Sequence, residues 1–411
     1  MKKRVVITGM GVTSPVGTGV EKFWNNIQNG YNGIGPITQF DTTDYDVHFG
    51  GEVTDINLEN YFSRKEMRKL DRFTQFALIA SDEAIKNANF DLEKLDTERT
   101  GVIIASGIGG LHTLEKERMV LHKKGPKRVS PFFIPKLISD IAAGHVSIKY
   151  GFKGINYSVA SACASSNHSI ALALRHIRYG DADVVVTGGA EATISPLGVS
   201  GFTQMKALST RNDDYKTASR PFDKMRDGFV IAEGSGILVL EEYEHAKKRN
   251  AKIYGEIVGA GMTADAFHIT APSDDGDGAI RSMKMALNDG NLKPDDISYI
   301  NAHGTSTPFN DKIETKAIKS VFDENAKNIA ISSTKSMTGH MLGATGSVEA
   351  IASIKAIEND IIPPTINLIN PDPECDLSYT PNVKISKQVN AVLSNTFGFG
   401  GHNSTLVFKK I

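Results

Sequence analysis

Apolar and polar positions follow two rhythms along this chain. Short β-branched runs (KRVVITGMG, TGVIIASG, DVVVTGGAE, GILVLEEY, KIYGEIVGAG and ISYINAHG) end in small residues. Continuous apolar runs bounded by glycine predict strands buried on both faces. Between them, residues 63–88, 165–179 and 344–358 carry apolar positions at helical spacing. Strands alternating with helices predict an α/β fold built on buried, mixed sheets.

The pattern also repeats at long range. VITGMGVT at 6–13 is similar to EIVGAGMT at 256–263, and GVIIASG at 101–107 to SYINAHG at 298–304. Each half then offers a small-residue turn opening an alanine-rich helix, ACASSNHSIALAL and GHMLGATGSVEAIAS. Common α/β grammar can produce such matches, so alone they are a weak sign of duplication. Two similar halves would divide as 1–250 and 251–411, after the charged segment EEYEHAKKRN.

Charge and cysteine content narrow the function. A net charge of −1 over 411 residues gives no global field toward nucleic acid or lipid. Cys163 and Cys375, the two cysteines, lie far apart without CxxC or Cys/His spacing, which disfavours a disulfide framework and a structural zinc. The opening MKKRVVITGMGVTSPVG is broken by glycine too soon for a secretory segment, and no run approaches membrane-spanning length. A soluble protein of a reducing, cytoplasmic compartment is expected, with neither nucleic acid nor membrane as partner. Dinucleotide and phosphate motifs fail: Ser14 stands where the third glycine after Gly9 and Gly11 belongs, GIGG at 107–110 leads to no acidic partner, and GxxxxGK[ST] and GxSxG do not occur.

The candidate chemistry centres on Cys163 in SVASACASSNHSIALAL, where a helix begins. Small neighbours leave access to the sulfur, and free amides at a helix start favour a thiolate, so a nucleophile is preferred to a buried filler. His303 in NAHGTSTP and His340 in TKSMTGHMLGATG each lie in turns of Gly, Thr and Ser. A satisfied turn histidine is the blander reading of either one. His112, His122, His176 and His245 sit in charged stretches and read as surface. Lys335 is a lone cation in SSTKSMTG, and Glu349 on the following helix is its candidate partner. Phe399, among three glycines in SNTFGFGGHN, reads as a gate.

Taken together, these residues resemble the β-ketoacyl-acyl-carrier-protein synthases, closest to the type II synthase of dissociated bacterial systems. The resemblance runs the whole chain, through RVVITGMGVTSPVG, SACASS, AHGTSTPFND, KSMTGHMLGATG and FGFGGHN. It implies the thiolase-like fold, two similar βαβαβαββ halves in a five-layered αβαβα sandwich, usually a homodimer. It implies Cys163 as acyl acceptor, His303 and His340 completing the triad, and the amides of Cys163 and Phe399 as an oxyanion hole. Lys335 and Glu349 would organise the site, Thr305 and Thr307 would hold pantetheine amides, and Thr270 would lie on the substrate-side loop HITAPSD. Ala271 stands on that loop where many relatives carry serine, so the loop lacks that side-chain hydroxyl. Ile108 would line the acyl pocket near Phe202 and Phe399. No cofactor is implied beyond the phosphopantetheine on the substrates, and a monovalent cation near Asn301 stays open.

Related chemistries fit less well. A thiolase deprotonates its substrate with a second cysteine near the C-terminus, and GFGGHN has none. The initiating synthase carries asparagine where His340 stands, a chain-length factor lacks the cysteine, and a pure binding module leaves three reactive side chains unexplained. The partner implied is an acidic acyl carrier protein. In SRKEMRKLDRF, Ser63 and Glu66 fit a capping box, and Lys65, Arg68, Lys69 and Arg72 follow at i, i+3, i+4 and i+7 on one predicted helical stripe. Lys127, Arg128 and Lys206 would extend this docking surface. An ordinary solvated face is the alternative.

Overall fold

The computed structural model describes residues 2–411, and ten strands form one continuous mixed sheet. The first half supplies β1 (Val5–Thr13), β2 (Thr100–Ala105), β3 (Asn156–Tyr157), β4 (Val184–Glu191) and β5 (Gly234–Glu242). The second supplies β6 (Gly255–Ala264), β7 (Tyr299–Asn301), β8 (Ala330–Ser332), β9 (Ala391–Gly398) and β10 (His402–Lys409). Their order is β3-β2-β4-β5-β1-β6-β10-β9-β7-β8. From the centre outward, each half therefore runs first strand, fifth, fourth, second, third. The halves join where Val6 pairs with Glu256 and Ile7 with Gly255.

Helices complete five layers. α1 (Arg72–Ala88) and α2 (Ile141–Tyr150) cover the outer face of the first half. α3 (Ser165–Tyr179) packs against β2 and β4, and α6 (Thr345–Asn359) against β9 and β5, while the two helices also pack on each other. They form the middle layer between the half-sheets. α4 (Asp277–Asp289) lies on β6 and β10, with α5 (Asn310–Phe322) beside it.

The duplicated glycines have a packing cause. A Cβ on Gly11 would stand 2.0 Å from the Ala80 carbonyl of α1, and one on Gly261 would stand 1.9 Å from the Ser282 carbonyl of α4. Each half seats its outer helix directly on its first strand, and only glycine permits that approach. The repeat VITGMGVT/EIVGAGMT is a helix-docking signature, not a nucleotide loop.

Three expectations are corrected. Residues 63–88 are not one helix: a turn at Arg64–Met67 carries the expected Ser63–Glu66 capping box, then the chain extends at Asp71, which caps α1 by accepting from the Phe73 N–H. Arg72 therefore leaves the basic stripe and pairs with buried Glu233 (Nη2 to Oε1 2.5 Å, Nε to Oε2 2.8 Å). His176 and His245 are half-buried and hydrogen-bonded, His176 to Tyr157 and Asp181 and His245 to Glu241. β9 and β10 escape the apolar pattern because Asn395, Thr396, Ser404 and Thr405 are buried along them, and Thr405 Oγ1 donates to Asn395 Oδ1 at 2.9 Å.

Candidate active site

The nucleophile sits on a strained turn. Ala162–Ala164 form a 3₁₀ turn running into α3, and Ala162 holds φ 51°, a left-handed conformation costly for alanine. Local bonds hold it there: the Ser161 N–H donates to Ser165 Oγ, whose hydroxyl donates to the Ala162 carbonyl at 2.6 Å. The second half repeats the device, with Leu342 at φ 46° opening the turn Leu342–Ala344 before α6. Gly343 thus occupies the position that Cys163 holds in the first half.

Cys163 is 6% exposed and belongs to a buried apolar cluster with Ile194, Val199, Phe229 and Leu342. Its sequence neighbours are small, but the fold walls it with bulky ones. Burial pushes the thiol up to about 12, against the opposing Lys335 charge and Phe399 N–H. The expected resting thiolate is corrected to a thiol, because desolvation outweighs the helix start.

Both histidines converge on that sulfur region. His340 Nε2 lies 3.1 Å from Cys163 Sγ, and its Nδ1 lies 2.9 Å from Thr345 Oγ1 in the first turn of α6. The His303 and His340 rings meet edge-on with centroids 5.4 Å apart. Burial holds both well below the ordinary histidine range, reinforced by the nearby Lys335 charge. Neutral imidazoles can donate N–H without carrying charge. Lys335 Nζ bonds Glu349 Oε1 at 2.6 Å, with both side chains 1% exposed. Burial raises Glu349 while Lys335 pulls it back.

The surrounding loops bring in the remaining candidates. Phe399 and its glycines form the tip of the β9–β10 hairpin, whose last pair is Gly398 with His402. A Cβ on Gly398 would stand 3.1 Å from the Cys163 nitrogen, so the tip lies directly against the nucleophile. Phe202 faces Phe399 at 6.5 Å and Phe229 at 5.5 Å between centroids. Thr270 lies on a loop joined to the tip by the Gly400 N–H donating to the Ile269 carbonyl at 2.7 Å. Thr305 and Thr307 share a hydroxyl–hydroxyl bond of 2.8 Å. Asn301 is buried, with both amide atoms unpartnered among the described residues. Ile108 is 43% exposed, so it does not close a tunnel within one chain.

Of the basic candidates, Lys65, Arg68, Lys69, Lys127, Arg128 and Lys206 are exposed. Lys69 reaches over the Phe132 ring at 5.6 Å, which brings the 64–69 segment beside the segment following Lys127 and Arg128. Arg72 does not join them.

Sequence reasoning missed three contributors. Thr345 orients His340, Glu314 accepts from the His303 and Gly304 amides at 2.8 Å each, and Glu191 lies buried behind the Gly107 turn. Glu191 had a signal, a lone acid ending the apolar run DVVVTGGAE.

Comparisons with known proteins point the same way as this geometry. Residues 2–246 match the family model of the β-ketoacyl synthase N-terminal domain, and 254–369 match the C-terminal domain. A 3-oxoacyl-[acyl-carrier-protein] synthase 2 of Synechocystis is 53% identical over 409 residues, covering 100% of this chain and 98% of that protein. One from Staphylococcus aureus is 52% identical over 99% of this chain and 98% of its own. Among solved structures, a type II polyketide ketosynthase in complex with its acyl carrier protein matches with a TM-score of 0.92 at 38% identity. A β-ketoacyl synthase from Burkholderia phymatum matches with a TM-score of 0.93 at 34% identity, and both structures cover 100% of each chain. With a cysteine on a strained turn, two neutral histidines beside it and both domain models matched, the chain belongs to the β-ketoacyl synthase family.

Proposed function

We propose that this protein elongates acyl chains as a β-ketoacyl-[acyl-carrier-protein] synthase of the type II kind, by decarboxylative condensation. The observation that carries the proposal is the pairing of Cys163 Sγ with His340 Nε2 at 3.1 Å, beside His303 and against the Phe399 amide. Cys163 attacks the acyl thioester, the acyl group moves to sulfur, and the thiol proton ends on the departing pantetheine thiol. The amides of Cys163 and Phe399 would stabilise the tetrahedral oxyanion. A malonyl thioester then loses CO2, which leaves an enolate without any strong base. N–H groups of His303 and His340 stabilise its oxygen, and Lys335 favours their neutral state. The enolate carbon attacks the acyl-cysteine carbonyl, expelling the sulfur, which regains a proton from solvent.

Thiolase chemistry fits poorly. Its second cysteine would have to be Cys375, which packs in a separate cluster with Phe222 and Tyr379. Lys65, Arg68, Lys69, Lys127, Arg128 and Lys206 are the docking groups proposed for an acidic carrier protein, with Thr305, Thr307 and Thr270 along the pantetheine path. The exposure of Ile108 supports a homodimer in which a second copy completes the acyl pocket. A monovalent cation would find an oxygen donor in Asn301 Oδ1, although no step above depends on it. No helix among the described residues is long and apolar enough to cross a membrane. The test is to supply acyl-carrier proteins of graded length with malonyl-carrier protein and weigh the products. Each acyl group accepted should return as its β-ketoacyl homologue, two carbons longer, and absence of any condensation product would refute the function.

A further inference from the structure

The two halves share a device at the ends of their second strands. After β7, the turn bearing His303 presents two N–H groups, of His303 and Gly304, to the buried carboxylate of Glu314. After β2, the matching turn presents the N–H groups of Gly107 and Ile108, at 2.8 and 3.3 Å, to the buried carboxylate of Glu191. One carboxylate holds a histidine turn. The other holds the turn bearing Ile108.

Glu191 reaches further than that turn. Its Oε2 also accepts from the Gly343 N–H at 3.1 Å, and its Oε1 accepts from the Ser106 hydroxyl at 3.0 Å. These partners are three amides and one hydroxyl, none of them charged. A single oxygen therefore ties the Ile108 turn to the turn that follows His340, across the two halves of the molecule. The contact is close enough that a Cβ on Gly343 would stand 2.4 Å from the Gly107 nitrogen. The same Ile108 turn touches the nucleophile turn, since a Cβ on Gly107 would stand 3.4 Å from the Ala162 carbonyl. A fully buried carboxylate without a cation is costly to keep, and burial pushes Glu191 up to about 7. An apolar residue there would leave four donors unpaired.

We propose that Glu191 is a positioning residue of the condensing site, clamping the Gly107–Ile108 turn against the Leu342–Gly343 turn and thereby setting the length of acyl chain accepted. The inference rests on the condensing function proposed above. Ile108 is the exposed end of the clamped turn, so its place relative to Cys163 depends on how firmly Glu191 holds the backbone beneath it. Short chains end before Ile108 and are indifferent to its position. Long chains must pass it.

Glu191→Gln keeps the volume but turns one accepting oxygen into a donor, so either the Gly107–Gly343 tie or the Ser106–Ile108 pair is lost. The expected result is a fall of at least about tenfold in the ratio of long-chain to short-chain condensation. Cys163 should still be acylated by a short donor. Glu191→Asp, which keeps the charge but reaches fewer donors, should recover part of the ratio. Ser106→Ala removes one donor to Glu191 and the acceptor of the Gly109 N–H but leaves all three amide bonds to Glu191. It should therefore shift the ratio the same way by less, and it decides the matter if Glu191→Gln does not fold. An unchanged ratio, or an equal fall at every length, in the folded variants would overturn the clamp. Wild-type protein inert at every chain length would instead overturn the condensing function, and the clamp with it.

Discussion

His340 Nε2 and Cys163 Sγ stand 3.1 Å apart across 177 positions of chain, one from each half of the duplicated fold. Neither group is charged at rest: burial raises the thiol and lowers the imidazole. Because the folded state disfavours the thiolate, its fraction grows with pH until the thiol titrates near 12. Alkylation of Cys163 by iodoacetamide should therefore climb about tenfold per pH unit between about pH 7 and 9 without levelling. A plateau below about pH 8 would mean a thiolate stabilised by the helix start instead.

Loss of either histidine removes an enolate donor. His303→Ala and His340→Ala should each slow malonyl decarboxylation by about a hundredfold or more. Measured as CO2 release in single turnovers, near wild-type rates in both variants would contradict the triad.

The Lys335–Glu349 pair is sealed from solvent, so breaking it strands a charge. Lys335→Ala should lower unfolding free energy by about 3–5 kcal/mol in urea titration, whereas Lys335→Met with Glu349→Leu should restore most of it. A single-variant loss below about 1 kcal/mol would show the pair to be incidental.

Docking of an acidic carrier should be electrostatic. Reversing Lys65 and Lys69 to Glu should raise KM for carrier-borne substrate and flatten its salt dependence, leaving a small thioester mimic nearly unaffected. Equal losses with both substrates would point to damage in the turn at Arg64–Met67.

How much of this was legible depended on what each signal measures. The six apolar runs are strands in the structure because their burial needs no partner to be read. The glycine pairs 9/11 and 259/261 marked the duplication because close helix packing demands them in each half. Cys163, His303 and His340 stood out by their small neighbours, and the fold brings them together. Arg72 misled, since spacing along one helix says nothing of a break at Asp71 or of Glu233 waiting 161 residues away. Glu314 stayed hidden because it bonds mainly the His303 and Gly304 backbone amides, which leave no mark in a sequence. Glu191, though marked as an acid ending an apolar run, gave no sign of the three amides it gathers. Ile108 was expected to line the acyl pocket, yet it is 43% exposed on the single chain, because a residue ending a strand between glycines carries no sequence mark of what packs over it.

The central claim is that Cys163 carries the acyl chain. Incubation with acyl-carrier protein, without malonyl donor, followed by peptide mass analysis tests it most directly. The acyl mass should appear on the peptide containing Cys163, and substitution of Cys163 by Ala should abolish it. Label on Cys375, or no covalent adduct in protein that condenses normally, would contradict the account.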